Sequence, residues 1–152
     1  MHFCRIRGVQ PDPDLFMYGH RIRCVEETRF LGLLFDKCLT WVPHLRSFKV
    51  SCLQALNLLM VLCHTSWGAD RATLLHLYRV LIRSKLDYGC EVYSSAIDAH
   101  LRVLGTVHHA GVRLATGAFR SSPFPSLLVE ADEQPLDLCR QSLMVHCWHR
   151  LH

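Results

Sequence analysis

The N-terminal quarter of the chain alternates short β-prone runs with turn residues. Residues 1–14 are predicted to be irregular because glycine and proline punctuate them. Residues 15–18 and 21–23 flank Gly19-His20, and this spacing predicts a β-hairpin. Residues 25–35 supply a further strand or strands, which we expect to be covered on both faces beyond Arg29 because neither alternating set is purely polar. Within it, Phe30-Leu31-Gly32 is predicted to be a buried strand that ends in a turn.

A helical pattern replaces the strand pattern at Pro43, a residue that the first turn of a helix tolerates. The apolar positions then recur at spacings of three and four, which predicts a long helix. They are Leu45, Phe48, Cys52, Leu56, Leu59 and Cys63. The opposite face also turns apolar at Leu58, Val61 and Leu62, so we expect that half of the helix to be buried on most sides.

A second helix is predicted to start near Asp70, a suitable N-cap, and to close at Gly89 as C-cap. Its apolar side consists of Leu74, Tyr78, Leu81 and Ile82. The side chains of His76, Arg79 and Arg83 fall at spacings of three and four on the opposite side, which predicts a basic face.

A third helix is predicted over residues 98–115, with Arg102, His109 and Arg113 between its two apolar stripes. Gly105 and Gly111 lower its helix propensity, and we expect them to permit close helix packing. A short helix over 126–131 and a last helix from Pro135 follow, the latter still amphipathic at the final residue, which suggests truncation. The predicted fold is mainly α with a small N-terminal β region (α+β). A β region over 1–38 precedes a helical region over 39–152 with four main helices.

Composition narrows the class of protein. No run reaches the roughly 18–20 uninterrupted apolar residues of a membrane span, and the N-terminus lacks the apolar core of a secretory signal. The eight cysteines include no C-x-x-C pair, so we expect reduced thiols and an intracellular location, nuclear or cytoplasmic.

Positive charge is concentrated in the middle of the chain. Residues 39–120 carry nine basic and four acidic groups. Such a bias suits an anionic partner such as nucleic acid, although on charge alone the solvated surface of a mildly basic protein is the simpler explanation. Rows of cations on helices can neutralise phosphates without reading bases.

The sequence offers little independent catalytic chemistry. Cys139, His146, Cys147 and His149 match no common zinc spacing, and the serines and cysteines lack a nucleophile motif. His108 lies on an apolar stripe and is expected to be a hydrogen-bonded core histidine. His109 is expected to be exposed. We therefore assign no catalytic residue and no metal ligand.

The order of motifs resembles the segment that follows the catalytic palm in reverse transcriptases of non-LTR (LINE-like) retrotransposons. It is closest to jockey-like elements of the tick-transposon type. The resemblance spans roughly residues 3–150. The matching stretches are 30–36, 39–41, Pro43-His44, 55–59, 67–71, Leu74-Leu75, 77–79, 82–89, Val92-Tyr93, 113–115, 117–120 and Ser122-Pro123.

The resemblance implies a role for each region. Phe30-Leu31-Gly32 matches the strand similar to a primer grip, which holds the primer 3′ end toward the active site. Residues 1–38 then resemble the end of the palm, and residues 39–152 resemble the thumb, a helical bundle along the template–primer duplex. It implies non-sequence-specific contact with an RNA–DNA or DNA duplex, which we assign as a group to Arg79, Arg83, Arg102 and Arg113.

The departures from the family limit what activity is expected. The parent enzymes are RNA-directed DNA polymerases in which an F/Y-A-D-D motif holds two Mg²⁺ ions, and this chain has no Asp-Asp pair. The fingers and the palm core are also missing. The sequence therefore predicts an inactive fragment that needs no cofactor of its own. The alternative is a small intracellular helical interaction module without a nucleic-acid role.

Overall fold

The computed structural model describes residues 1–3, 13–64 and 68–151. Within these ranges the chain is mainly helical with two small antiparallel strand pairs, which confirms the predicted mainly-α fold with a small β region. The irregular structure predicted for residues 4–12 lies outside the described residues. The same is true of Cys4 and of Trp67 in the 67–71 motif.

The N-terminal part contains two hairpins. Strand β1 (Phe16–Met17) pairs with β2 (His20–Arg21), and β3 (Glu27–Phe30) pairs with β4 (Leu33–Asp36). Tyr18-Gly19 is the turn of the first hairpin, one residue earlier than Gly19-His20. Both residues have positive φ, a conformation that glycine adopts readily.

Helices follow in the predicted order. They are α1 (Val42–Leu62), α2 (Arg71–Tyr78), a π-helical segment (Arg79–Arg83), α3 (Ser84–Asp87), α4 (Cys90–Tyr93), α5 (Asp98–Thr116), α6 (Phe124–Ala131) and α7 (Leu136–Leu151). Asp70 is the N-cap of α2 and accepts hydrogen bonds from the amides of Ala72 and Thr73. The predicted C-cap at Gly89 is off by one residue, because Tyr88, in an extended conformation, is the C-cap of α3, and Gly89, with positive φ, is the N-cap of α4.

Helix α5 runs through the centre of the helical part and packs on α1, α2 and α6. Of the two apolar stripes predicted for this helix, the one that contains Leu101, Leu104 and Val112 is buried. On α1 the stripe of Leu45, Cys52, Leu56 and Leu59 faces this core. Apolar residues at spacings of three and four on these helices thus form the core of the described residues.

The second apolar face of α1 is not buried, contrary to expectation. Leu58 and Val61 are exposed, together with Val50 and Met60, and only Leu62 packs partly against the core. Helix α1 packs chiefly on α5 and β4 through a single stripe, so its second stripe is left exposed. By length and mean hydropathy α1 would suffice to span a membrane, a weak indication because core helices meet the same criteria.

The two glycines of α5 differ. A Cβ on Gly111 would lie 2.6 Å from Cε2 of Tyr78, so this glycine allows α5 and α2 to approach closely. A Cβ on Gly105 would meet nothing within 4 Å. The prediction of close packing is therefore confirmed at Gly111 and wrong at Gly105, where the missing side chain leaves a groove.

Candidate nucleic-acid interface

Arg83 is not on a solvent face, and this corrects the sequence prediction. Arg83 is only 7% exposed to solvent. Its Nε donates to Oδ2 of Asp87 at 3.1 Å, and its Nη1 donates to the carbonyl oxygen of Gln134 at 3.0 Å. The π-helical segment places one extra residue in the turn that ends at Arg83. The prediction assumed α-helical spacing, which this turn does not have. This guanidinium is already satisfied inside the protein.

Arg79 is half exposed but is also bound within the chain. Its Nε donates to Oε1 of Glu133 at 2.6 Å, and its Nη2 donates to the carbonyl oxygens of Ala131 and Asp132. Arg71 repeats the pattern, because its Nη2 donates to the carbonyl oxygen of Glu130 at 2.8 Å.

We call Arg71, Arg79 and Arg83 the arginine row. The row faces the end of α6 and the residues after it, where the last helical carbonyls have no intrahelical partner and the helix dipole is negative. The periodic spacing of these arginines, which suggested contact with phosphates, is therefore explained by their hydrogen bonds to the end of α6 and the residues after it.

The two arginines of α5 are placed differently. Arg113 is half-buried, and its Nη2 donates to the carbonyl oxygen of Ser122 at 3.1 Å, which ties α5 to the loop before α6. Arg102 is exposed and forms no ion pair with another described residue. Of the four predicted duplex contacts, Arg102 is the guanidinium that the described structure leaves available.

Phe30-Leu31-Gly32 is an exposed hairpin tip and not a buried strand. Phe30 ends β3 and is 63% exposed, and Leu31 is 72% exposed at the first turn position. Leu31 and Gly32 both have positive φ, as a tight two-residue turn between twisted strands requires. Apolar burial begins only at Leu33, which packs against Gly89. The alternation of residues 25–35 reports strand character but does not reveal the reversal at 31–32.

The tip is held on the helical part by Tyr88, which sequence reasoning missed. The Tyr88 hydroxyl donates to the carbonyl oxygen of Leu31 at 2.7 Å. A Cβ on Gly32 would lie 3.5 Å from Cε1 of the same ring. Nothing in the periodicity of residues 82–89 marks Tyr88 for this contact, because its partner is distant in the chain.

A buried carboxylate organises the junction between β4 and α1. Asp36 Oδ1 accepts the amide of Trp41 at 2.8 Å, and Oδ2 accepts the amide and the hydroxyl of Thr40, each at 2.9 Å. Burial alone would raise the pKa of Asp36, but these hydrogen bonds favour the charged form and hold that pKa below its usual value. The carboxylate of Asp36 therefore connects the end of β4 to the start of α1.

The same junction is closed by two aromatic rings. His44 is buried in the first turns of α1, and its Nδ1 accepts the amide of Leu34 at 3.3 Å. The indole N–H of Trp41 donates to Ser95 Oγ at 3.1 Å. Several residues that carry the family resemblance between 34 and 44 thus have structural contacts.

Arg29, exposed on β3 beside the hairpin tip, is a further cation that the sequence did not single out. It is close enough that its charge contributes, after burial, to the lowered pKa of His44. The signal in the sequence was its position next to Phe30 in an alternating strand.

His108 is a core histidine, as predicted. It is 1% exposed, and its Nδ1 is hydrogen-bonded to the hydroxyl of Tyr78. Burial is the main cause that lowers the pKa of His108 to about 3, with the charges of Arg83 and His109 adding to it. His109 is exposed and lies against Phe124, with ring centroids 3.6 Å apart.

We searched the part of the chain that the structure describes for side chains that could coordinate a metal ion. Within those residues, no group of three or more His, Cys, Asp or Glu side chains is arranged to hold a metal ion.

No protein-family model, curated protein or solved structure matches this chain.

Proposed function

We propose that this chain is the palm end and thumb-like part of a non-LTR retrotransposon reverse transcriptase and that it holds a template–primer duplex without catalysing synthesis. The order of motifs between residues 30 and 123 carries the proposal. In this interpretation residues 1–38 are the palm remnant. The four main helices of the thumb are α1, the segment from α2 to α3, α5 and α7.

The hairpin tip supports a grip-like role. An apolar turn that projects from the protein and is pinned at its backbone by Tyr88 offers a firm surface to a primer end. Arg29 beside it and Arg102 on α5 are exposed cations that suit phosphates. We therefore assign the duplex contact to Arg29 and Arg102. Arg79, Arg83 and Arg113 are no longer assigned to it, because their guanidinium groups are bound within the chain.

Duplex binding tests the proposal directly. Fluorescence anisotropy with a labelled RNA–DNA hybrid is expected to give weak, micromolar or weaker binding that declines with salt and shows little sequence preference. Arg29→Gln and Arg102→Gln are expected to weaken binding, and Arg150→Gln, which removes the same charge from the end of α7, is the matched control. A flat titration at low salt would overturn the proposal. Equal weakening by all three variants would overturn the assignment of Arg29 and Arg102.

A second candidate is the interaction module, favoured by the apolar exposure of the first hairpin. Phe16, Met17 and Tyr18 are exposed there, with Leu15 and Ile22 beside them. Contiguous apolar surface of this kind favours association with a partner or a second copy. Size-exclusion chromatography with light scattering discriminates the two candidates. Self-association that a duplex does not reverse supports the module, and a monomer that shifts only with duplex supports the thumb.

A further inference from the structure

Helix α1 presents an uncharged, largely apolar face to solvent along about three of its turns. No exposed residue between positions 50 and 61 is acidic or basic. The exposed residues there are the apolar Val50, Leu53, Leu58, Met60 and Val61 and the polar Gln54 and Asn57. A contiguous apolar surface of this kind is typical of an interaction site.

The burial of α1 differs from that of an ordinary core helix. Only 22% of the residues in its most apolar 18-residue stretch are buried. The buried side chains, among them Cys52, Leu56 and Leu59, form the stripe that packs on the core. Because this stripe is held against α5, the opposite face is placed to lie along a surface, and the helix is not free to cross a bilayer.

The charged residues of α1 are all positive and lie at one end of this face. Arg46 and Lys49 are its only Lys, Arg, Asp or Glu residues, and neither forms an ion pair with another described residue. At about 100° per residue, both lie on the same side of the helix as Leu53. Beside them, Nζ of Lys85 donates to Oγ of Ser51 at 3.0 Å. Positive charge therefore flanks the apolar face at the N-terminal end of α1, where the helix dipole is positive as well.

The elements around α1 supply little negative charge. Among β4, α2, the π-helical segment and α5, which pack on α1, the acidic residues are Asp36 and Asp98. Asp36 accepts its hydrogen bonds from Thr40 and Trp41, and neither carboxylate forms an ion pair with a cation of α1. The occupant that complements this face is apolar along most of its length and negative at one end.

Shape and charge together favour a lipid surface over a second copy of the chain. The exposed positions from 49 to 61 extend over about half of the helix circumference, so α1 is a convex ridge. A second copy would bring the same cations and no carboxylate to pair with them. A bilayer adapts to a ridge, takes up its apolar side chains at the acyl boundary and offers anionic headgroups to its cations. The predicted intracellular location fits, because the cytoplasmic leaflet carries the anionic lipids.

We propose that the exposed face of α1 binds the surface of an anionic phospholipid bilayer, with the helix lying in the plane of the interface. Val50 and Val61 enter the boundary between headgroups and acyl chains, and Arg46 and Lys49 pair with lipid phosphates. The contact does not depend on the proposed duplex contact, which is assigned to other elements of the chain.

Vesicle flotation of the full chain tests this contact. Binding to phosphatidylcholine vesicles that contain phosphatidylserine is expected to be about tenfold stronger than to pure phosphatidylcholine and to decline with salt. Met60→Gln combined with Val61→Gln retains every charge, and both side chains are more than half exposed, so the fold is kept. This variant is expected to bind about tenfold more weakly. Val129→Gln combined with Leu151→Gln removes two exposed apolar side chains from α6 and α7 and is the matched control, expected to bind unchanged.

Arg46→Gln combined with Lys49→Gln tests the charges and is expected to remove most of the preference for phosphatidylserine. Duplex affinity measured on Met60→Gln with Val61→Gln is expected to be unchanged, which keeps this test separate from the proposed function. The proposal is overturned if the chain does not float with anionic vesicles or if the α1 variants and the control float equally. It is also overturned if light scattering without lipid shows a dimer that the Met60→Gln and Val61→Gln pair dissociates, because a second copy then covers this face.

Discussion

The hydroxyl of Tyr88 donates a hydrogen bond of 2.7 Å to the carbonyl oxygen of Leu31, across 57 positions of sequence. The contact fastens an exposed hairpin tip to the helical part of the molecule. It gives the turn a fixed place without burying its side chains. An exposed apolar tip that is tethered in this way is suited to contact with another molecule.

Tyr88→Phe is expected to loosen the β3–β4 hairpin while leaving the helical core intact. The lost hydrogen bond is worth about 1 kcal/mol, and the ring can still lie over Gly32. Amide hydrogen exchange is expected to quicken at 28–35 and to stay unchanged in α5. Tyr18→Phe, at a fully solvated turn, is the control. Unaltered exchange in the hairpin of Tyr88→Phe would contradict the role of this bond.

Gly111→Ala and Gly105→Ala are expected to have opposite effects. At Gly111 the new methyl group meets the ring of Tyr78, and overpacking of this kind costs about 1–3 kcal/mol, more than the gain in helix propensity. At Gly105 the methyl group has free space, so the propensity gain of about 1 kcal/mol is realised. Urea denaturation of both variants measures the difference, and a destabilised Gly105→Ala would be the contrary result.

Arg83→Met is expected to destabilise the fold far more than Arg79→Met. Removal of the buried guanidinium leaves Asp87 and the carbonyl of Gln134 without their donor, at a cost of about 3–5 kcal/mol. Arg79 is half exposed, and its buried partner Glu133 keeps Nη1 of Arg83 at 3.7 Å when Arg79 is removed, so we expect a smaller cost of about 1–3 kcal/mol. Thermal unfolding monitored by circular dichroism compares the two. Equal losses would mean that Arg83 is not the central member of the arginine row.

Stability is expected to fall as the pH is lowered from about 6.5 toward 4. The folded-state pKa of His108 is about 3, below the value of 6.5 in the unfolded chain, so only the unfolded state binds a proton in this window. Each such proton lowers the free energy of unfolding by about 1.4 kcal/mol per pH unit. His44 and His109 have lowered pKa values as well and act in the same direction.

His108→Gln isolates the contribution of that residue. The slope of unfolding free energy against pH between 4 and 6 is expected to fall by about one proton, measured by urea denaturation at several pH values. Asp36 acts in a different window: its pKa is lowered, so its contribution is present above about 3.8 and is lost as the pH falls through the lower folded value. A slope unchanged by His108→Gln would contradict the assignment.

The arrangement of α6 against α2 explains why the basic residues were misplaced from sequence. Periodicity shows that Arg79 and Arg83 share a face, but it does not show what that face contacts. Here the contact is the carbonyl-rich end of α6, about 50 residues away in the chain. An arginine that stabilises a helix end and an arginine that binds a phosphate can occupy the same positions in the local sequence pattern.

Local patterns in the sequence were enough to determine the helices, the first hairpin, the N-cap at Asp70 and the core position of His108, because each depends on neighbours within a few residues. The tertiary structure alone decided which apolar faces are covered, that Phe30-Leu31-Gly32 is an exposed tip, and that Arg102 is available whereas Arg83 is not. It also decided that Gly111 closes a helix contact and Gly105 opens a groove. The physical reason is that burial, ion pairing and free volume belong to pairs of segments that are distant in the chain, and no periodicity within one segment specifies its partner.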